Sequence, residues 1–367
     1  MTMKKKILIK ASEIIPYRNG MIAGVGRSTI ELINQFVQIN DPDLEFSICC
    51  TGVKGLFFDC YNWPLKRYTF PFSIRGNSEL SLKMEPFLRK KFLKTDLFHI
   101  TNNVDSFYRN ERFVVTIHDM LLYEKNARKK ELFDCIGRNS KAIVTCSSFS
   151  KREIQKKLNV SPDKISVIPW GINKSIFFKR DSKQIDSVCK KYHIETPYFF
   201  SCSCGDNRKN VDISIEAFRL VLRDYPETSF VVVWGNCPDS IRNEFRNEIA
   251  SNRLKIIQGV SNEDLACLYS GALATCFISS AEGFGFPMIE SFACGTPCIS
   301  CSNTSLAELG TGFAYFVAER NVEETFKAMV HFLDNGYNEG DRLIEYAMKF
   351  DWNETAKKYI SFYKQNV

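Results

Sequence analysis

The sequence lacks any apolar run of the roughly twenty residues needed to span a bilayer. Its opening, MTMKKKILIK, carries charge straight into a strand-like stretch and has neither the apolar core nor the cleavage site of a secretory leader. A cytoplasmic location is therefore expected. Short-period repeats and low-complexity tracts are missing too, which excludes solenoids and disordered arrays. Fourteen cysteines are present, but without small-scaffold spacing, and several lie inside apolar segments such as FSICC. They read as buried thiols. The one CxxC pair, Cys298 and Cys301, has no second pair and no nearby histidine, so core packing is favoured over metal or redox chemistry.

What remains is globular. Hydrophobic residues make up 44% and aromatics 13%, ample for packed cores. The 367 residues exceed the roughly 250–300 at which a single core stops growing, so two domains are expected. The net charge of +7 is modest; it favours anionic partners without naming one, and no nucleic acid partner is expected.

Along the chain, short apolar runs (KKILIK, LEFSIC, LFHIT, RFVVTIHD, AIVTCSS) alternate with helix-like or loop stretches, as in an α/β domain with a parallel sheet. The first strand leads through the loop ASEIIPYRNGMIAGVG to an amphipathic helix expected to begin near Ser28. KISVIPWGIN closes this half, and polar sequence from Lys179 to Tyr192 precedes a second series: YFFSCS, SFVVVWG, LKIIQG, LATCFIS, TPCIS and FAYFV. Two consecutive α/β domains are expected, residues 1–178 and 179–349, followed by a terminal helix in 350–367.

The chemistry concentrates in SSAEGFGFPMIESFACGTPCIS, where Glu282 and Glu290 stand eight positions apart. Pro287 suits the first position of a helix and Gly295 the position past its end. Glu282 is then expected in the loop before the helix and Glu290 in its first turn. Amides of the glycine loop and the helix N-terminus favour an anion, which glutamates would repel unless they accept hydrogen bonds from hydroxyl groups. A nucleotide sugar carries both phosphates and hydroxyls and resolves that conflict; the plain alternative is a capped helix with a solvated Glu290. In SCSCGDNRKNVDISIEAF, Arg208 and Lys209 follow a strand and precede a helix, a suitable place for cations facing a diphosphate.

These stretches, with IIQGVSNEDLACLYSGA, resemble the C-terminal domain of the retaining glycosyltransferases of family four, which have the GT-B fold and an E-x7-E signature matched here by Glu282 and Glu290. GVGRSTIELINQF, VVTIHDM, VTCSSFSKREI and ISVIPWGIN are similar to that family's N-terminal, acceptor-side segments; the match is weakest over residues 50–95. The resemblance implies two Rossmann-like domains facing a central cleft, acceptor on the N-terminal side and nucleotide sugar on the C-terminal side, with the helix in 350–367 crossing back to the N-terminal domain. It implies that Glu282 contacts sugar hydroxyls, with backbone contacts from Gly283, Phe284 and Gly285, and that Glu290 binds the ribose. Arg208 and Lys209 would hold the diphosphate and stabilise it as it leaves. His118 would reach toward the sugar, Gly24 and Gly26 would form a loop facing the phosphates and acceptor, and the backbone at Gly259 and Val260 would meet the base. Arg208 adjoins Lys209 here, whereas many family members space the two cations several residues apart.

The implied activity is transfer of a hexose, mannose from GDP-mannose first, to a glycan or lipid-linked saccharide in surface polysaccharide synthesis. Retention of configuration is implied, and neither a metal nor another cofactor is expected. A non-catalytic sugar-nucleotide-binding subunit and a transferase acting on a soluble small molecule stay open as alternatives. Three features lead elsewhere. GVGRST imitates a dinucleotide fingerprint, but Thr29 replaces its third glycine. Asp41 and Asp43 imitate a metal-binding D-x-D, yet Asn-Asp-Pro-Asp between helix and strand reads more simply as a turn. The basic runs LRKKFLK and ARKK suit either a solvated helix face or peripheral contact with an anionic membrane, at the inner face of the plasma membrane.

Overall fold

In a computed structural model the chain is described except at residues 1–2, 17–21, 52–60, 71–86, 88, 92, 103–110 and 204. Part of the loop after the first strand, much of the 50–95 stretch, and Leu88 and Phe92 of the LRKKFLK run lie outside the described residues. The chain divides into two compact units, residues 1–171 with 351–367, and 172–350. The change of unit therefore comes before the expected boundary at Lys179, and the polar Lys179–Tyr192 stretch is mostly a helix, Ser182–Tyr192, opened by a capping box between Asp181 and Gln184.

The first unit has central strands that are apolar almost without alternation and buried throughout at Leu97–Ile100, Phe113–Thr116 and Ala142–Thr145, as in a parallel sheet covered on both faces. Its strands are β1 (Lys5–Lys10), β2 (Leu44–Thr51), β3 (Lys66–Phe70), β4 (Leu97–Ile100), β5 (Phe113–Thr116), β6 (Ala142–Thr145) and β7 (Ile165–Val167). All pair in parallel in the order β3-β2-β1-β4-β5-β6-β7. Chain order reverses between β1 and β4, and the strand C-termini there are where open α/β sheets bind ligands. Helices α1 (Gly24–Ile39), α2 (Ala127–Asn139) and α3 (Ser148–Leu158) are the long connections. Helix α1 starts before the expected Ser28, so Gly24 and Gly26 form its first turn instead of a loop. The reason is packing: a Cβ at Gly26 would lie 2.3 Å from the Glu13 carbonyl oxygen, so only glycine lets the helix start this close to the loop after β1.

The terminal helix, Trp352–Asn366, packs in this unit on α1, with Tyr363 at 5.8 Å from the Phe36 ring. A buried polar chain fixes it to the sheet. The Tyr363 hydroxyl and His99 Nδ1 are hydrogen-bonded at 2.6 Å, His99 Nε2 and Thr116 Oγ1 at 2.9 Å, and Thr116 Oγ1 and the Tyr359 hydroxyl at 3.3 Å. Asp41 and Asp43 form a turn, with Asp41 Oδ1 accepting from the Asp43 amide at 3.0 Å, and Lys364 pairs with both carboxylates. The second carboxylate pattern therefore closes a helix-strand connection.

The second unit repeats the plan. After α4 (Ser182–Tyr192) come β8 (Tyr198–Ser203), α5 (Val211–Val221) and β9 (Ser229–Trp234). Then follow α6 (Asp239–Glu244), α7 (Arg246–Ala250), β10 (Leu254–Ile257), α8 (Asn262–Ser270), β11 (Thr275–Phe277), α9 (Phe286–Ala293) and β12 (Cys298–Ser300). The unit closes with α10 (Ser305–Gly310), β13 (Tyr315–Phe316), α11 (Val322–Asn335) and α12 (Gly340–Ala347). The parallel order is β10-β9-β8-β11-β12-β13, with the reversal between β8 and β11. The described cysteines are free and all but one are buried, Cys298 and Cys301 among them; burial drives both thiols up, to about 12 at Cys301. They fill core, as their apolar flanks require.

Candidate active site

At the reversal point of the second sheet, the loops leaving β8 and β11 are stitched together. The first carries a tight turn, Asn207–Lys209, capped by the Asp206 side chain. It ends at Asn210, whose left-handed backbone (φ 48°) is a conformation asparagine tolerates. Asn210 is 1% exposed, and its amide donates to the Ile278 carbonyl at 3.0 Å and to Ser280 Oγ at 2.8 Å. In return the Ser280 amide donates to the Arg208 carbonyl at 2.8 Å. Arg208 and Lys209 are thereby held against the loop that contains Glu282.

The charges meet there. Glu282 Oε1 accepts from Arg208 Nη1 at 2.8 Å, from Ser279 Oγ at 2.8 Å and, at closer range, from Lys209 Nζ. Lys209 is 7% exposed, and its ammonium also lies over the Phe277 ring at 4.7 Å from the centroid. Arg208 further bonds Asp206 through Nε at 2.8 Å and reaches the Ala281 carbonyl. Burial works against the Asp206 carboxylate, but the Arg208 amide and guanidinium outweigh it and hold the group below its ordinary range. All three donors to Glu282 take one oxygen, leaving Oε2 without a hydrogen bond among the described residues.

The glycine segment behind Glu282 is fixed by Ser305, whose hydroxyl donates to the carbonyls of Glu282 at 2.9 Å and Phe284 at 2.8 Å. Gly283, Phe284 and Gly285 are buried, and the Phe284 ring packs edge-on against Phe286 and Phe350. Gly285 caps α9 with φ 122°, and a Cβ there would meet Leu306 at 2.7 Å. The helix thus begins at Phe286, one residue before Pro287, and Glu290 is its fifth residue, beyond the expected first turn. The glycine cap explains the shift: its positive φ lets the chain enter the helix before the proline fixes it. Gly295 does follow the helix end, with φ 79°.

Glu290 is 2% exposed, and its Oε2 accepts from the Tyr269 hydroxyl at 3.1 Å. Burial, with the Glu290 charge adding to it, raises the Tyr269 phenol well above its usual range and keeps it a donor. Gly259 (φ 66°) and Val260 join β10 to α8, and a Cβ on Gly259 would meet nothing within 4 Å among the described residues.

In the first unit, the corresponding reversal point gathers Glu13 and Thr101. The Thr101 hydroxyl donates to the Lys10 carbonyl at 2.5 Å and reaches the Glu13 carboxylate, which also accepts from Thr29 Oγ1 at 3.1 Å. His118, after β5, is 4% exposed, and its Nε2–H donates to the Thr101 carbonyl at 2.8 Å. Burial lowers its pKa to about 4 against the pull of that carbonyl, so near neutral pH the ring is uncharged and Nδ1 is an acceptor. Among the described residues Nδ1 has no hydrogen-bond partner, and the ring leans on Trp170 at 4.9 Å. Of the expected site residues, Glu282, Arg208 and Lys209 are in mutual contact; Glu290 and the Gly259–Val260 turn lie elsewhere in the same unit, and His118, Gly24 and Gly26 belong to the other. Glu13, Thr101, Tyr269, Ser279 and Asn210 were not foreseen. Their shared signal is position, at or just beyond the strand ends or one helix back, which no local pattern marks.

Comparison with known proteins agrees with this architecture. Residues 190–350 match the model of "Glycosyl transferases group 1" and residues 22–175 that of "Glycosyltransferase Family 4". The chain is 26% identical to O-antigen chain mannosyltransferase B of Escherichia coli over 282 residues, 70% of this chain and 71% of the relative. It is 24% identical to O-antigen chain mannosyltransferase RfbU of Salmonella typhimurium over 350 residues, 90% and 92% of the two. Among solved structures, Anabaena HepE in complex with UDP and glucose superposes with a TM-score of 0.74 at 15% identity, covering 98% of this chain and all of that one. With a family model on each unit and two parallel sheets of this order, the chain belongs to the family-four glycosyltransferases of the GT-B fold.

Proposed function

We propose that the protein transfers a hexose, mannose from GDP-mannose as the first candidate, to a saccharide or lipid-linked glycan during surface polysaccharide synthesis in the cytoplasm. The observation that carries this reading is the convergence of Arg208 and Lys209 on Glu282 at the reversal point of the second sheet. A diphosphate entering here competes for both cations; as they turn to it, the Glu282 carboxylate gains capacity to accept from sugar hydroxyls. Cleavage of the bond from the anomeric carbon to the diphosphate builds negative charge on the leaving group, and fixed cations lower the barrier at that step. The leaving phosphate takes the acceptor's proton, so no protein base and no metal enter the scheme, and the acceptor attacks the face the phosphate leaves, with retention. Glu290, aligned by Tyr269, binds the ribose hydroxyls, and neutral His118 accepts from a sugar hydroxyl through Nδ1. Names of relatives as mannosyltransferases support the choice of sugar.

The test is transfer from GDP-, UDP- and ADP-sugars to saccharide acceptors with and without chelator, with the product anomer read by NMR. Transfer from one donor with retained configuration, unaffected by chelator and lost in Glu282→Ala, is the expected result. Inversion, chelator sensitivity, or full activity in the variant overturns the scheme.

A further inference from the structure

Six described residues other than glycine hold a left-handed backbone: Asn40, Asn159, His193, Asn210, Asn252 and Arg320. Asparagine and histidine are the types that tolerate this region, and Asn40, Asn159 and His193 end helices there. Arg320 fits neither account. With φ 54° it stands between β13 and α11, one residue before the Asn321 cap of that helix, in a conformation its own side chain disfavours. Such a residue persists only where its surroundings hold it. The pair with Asp212 at 3.2 Å is too weak to do so, since the two side chains are 53% and 36% exposed and an ion pair in water adds little. The other contact is of a different kind: Arg320 Nη1 donates at 2.8 Å to Oδ1 of the buried Asn210.

That contact engages the last polar atom of the Asn210 side chain. Its nitrogen donates to the Ile278 carbonyl and to Ser280 Oγ, and its oxygen accepts from the guanidinium. Arg320 therefore decides which way the amide faces. Without it a buried oxygen would lack its donor, and the side chain would turn to find another, giving up Ser280 or Ile278. A second thread runs beside the first: Asn303 donates to Glu319 Oε2 at 2.8 Å and reaches the Ser280 carbonyl at 3.5 Å. The segments that follow β8, β11, β12 and β13 are thus tied together across the carboxyl end of the sheet, and the ties converge on the turn that carries Arg208 and Lys209. We infer that Arg320 is a positioning residue for the diphosphate: acting through Asn210, it holds Arg208 and Lys209 against the Glu282 loop in the arrangement that meets the ligand. This role rests on the proposed reading of those two cations as the partners of the diphosphate.

Two substitutions separate positioning from plain stability. Arg320→Gly removes the contact but relieves the backbone, because glycine adopts this conformation freely. Arg320→Lys keeps the charge without the forked donor. Calorimetric Kd values for GDP, UDP and ADP, with no acceptor and no transfer, are measured on the full chain, both variants, Asn210→Ala and Asn210→Ala/Arg320→Gly, at a temperature where all are folded. The parent is expected to bind one of the three nucleotides. In Arg320→Gly that Kd should rise about tenfold while the melting temperature holds or increases, opposite directions that a residue kept for stability alone would not give. Arg320→Lys should recover part of the affinity. Asn210→Ala should weaken binding as much, and adding Arg320→Gly to it should change nothing further, since the route through Asn210 is already lost. An unaltered Kd in Arg320→Gly, or a double variant in which the two losses simply multiply, overturns the inference and leaves the donor reading in place. A parent that binds none of the nucleotides overturns the donor reading and this role with it.

Discussion

Replacing Glu282 by glutamine probes the charge cluster at its centre. The variant keeps the side chain's size and one accepting oxygen but removes the charge that Lys209 and Arg208 share. Arg208 retains Asp206 at 2.8 Å and is 28% exposed, so the penalty falls mainly on Lys209, which is 7% exposed. Removing one partner of a buried pair costs about 3–5 kcal/mol. The amide oxygen and the Phe277 ring compensate in part, and a loss of about 3 kcal/mol is expected. At about 2–4 °C per kcal/mol for a unit of this size, the melting temperature should fall by about 6–12 °C. Lys209→Met should cost less, about 1–2 kcal/mol, because Glu282 keeps Arg208 and Ser279. The double variant has neither buried charge, so its loss should fall short of the sum by about 2 kcal/mol. Urea unfolding of the four proteins measures this, followed through Trp234, the sole tryptophan of the second unit. Wild-type stability in Glu282→Gln, or strict additivity, would refute the pairing. A nucleoside diphosphate should stabilise Glu282→Gln more than the parent, since its phosphates no longer compete with a carboxylate.

Two other outcomes follow from buried groups. Burial lowers His99 to a pKa of about 3 and His118 to about 4, both below the unfolded value of 6.5. The unfolded chain then binds more protons between those values, so stability is full above pH 6.5 and declines as pH falls; from pH 7 to pH 5 each histidine should cost roughly 2 kcal/mol. Urea midpoints across that range measure the slope, and His99→Gln should remove about half of it; an unchanged slope would show that His99 is not buried neutral. Asn210→Ala removes the bonds to Ile278 and Ser280 and strains a left-handed position. Donor KM should then rise several-fold, with stability lower by about 2 kcal/mol, since the cation turn loses its tie to the Glu282 loop. Unaltered KM in a destabilised protein would separate that tie from ligand binding.

Much of this was legible in the chain. The alternation of short apolar runs with helical stretches carries the two parallel sheets, because strands covered on both faces must be apolar throughout. Glu282, Arg208 and Lys209 could be picked out because each follows a strand and precedes a helix, a local signal. The sequence misplaced the start of α1 and the first turn of α9, where glycines whose missing Cβ accommodates Glu13 and Leu306 decided the geometry. Leu306 belongs to a later helix, and Glu13 stands thirteen positions before Gly26, so residue periodicity marks neither contact. The same holds for LFHIT, in which His99 reads as one polar residue in a strand. Only the return of the terminal helix, which brings Tyr363 across 264 positions, shows it as a buried polar link. Sequence by itself determined the layers and the chemistry available at the strand ends, since periodicity and residue type are local. Tertiary structure decided which oxygen meets which cation and which histidines stay neutral, because burial and pairing depend on groups that only the folded chain brings within a few ångströms.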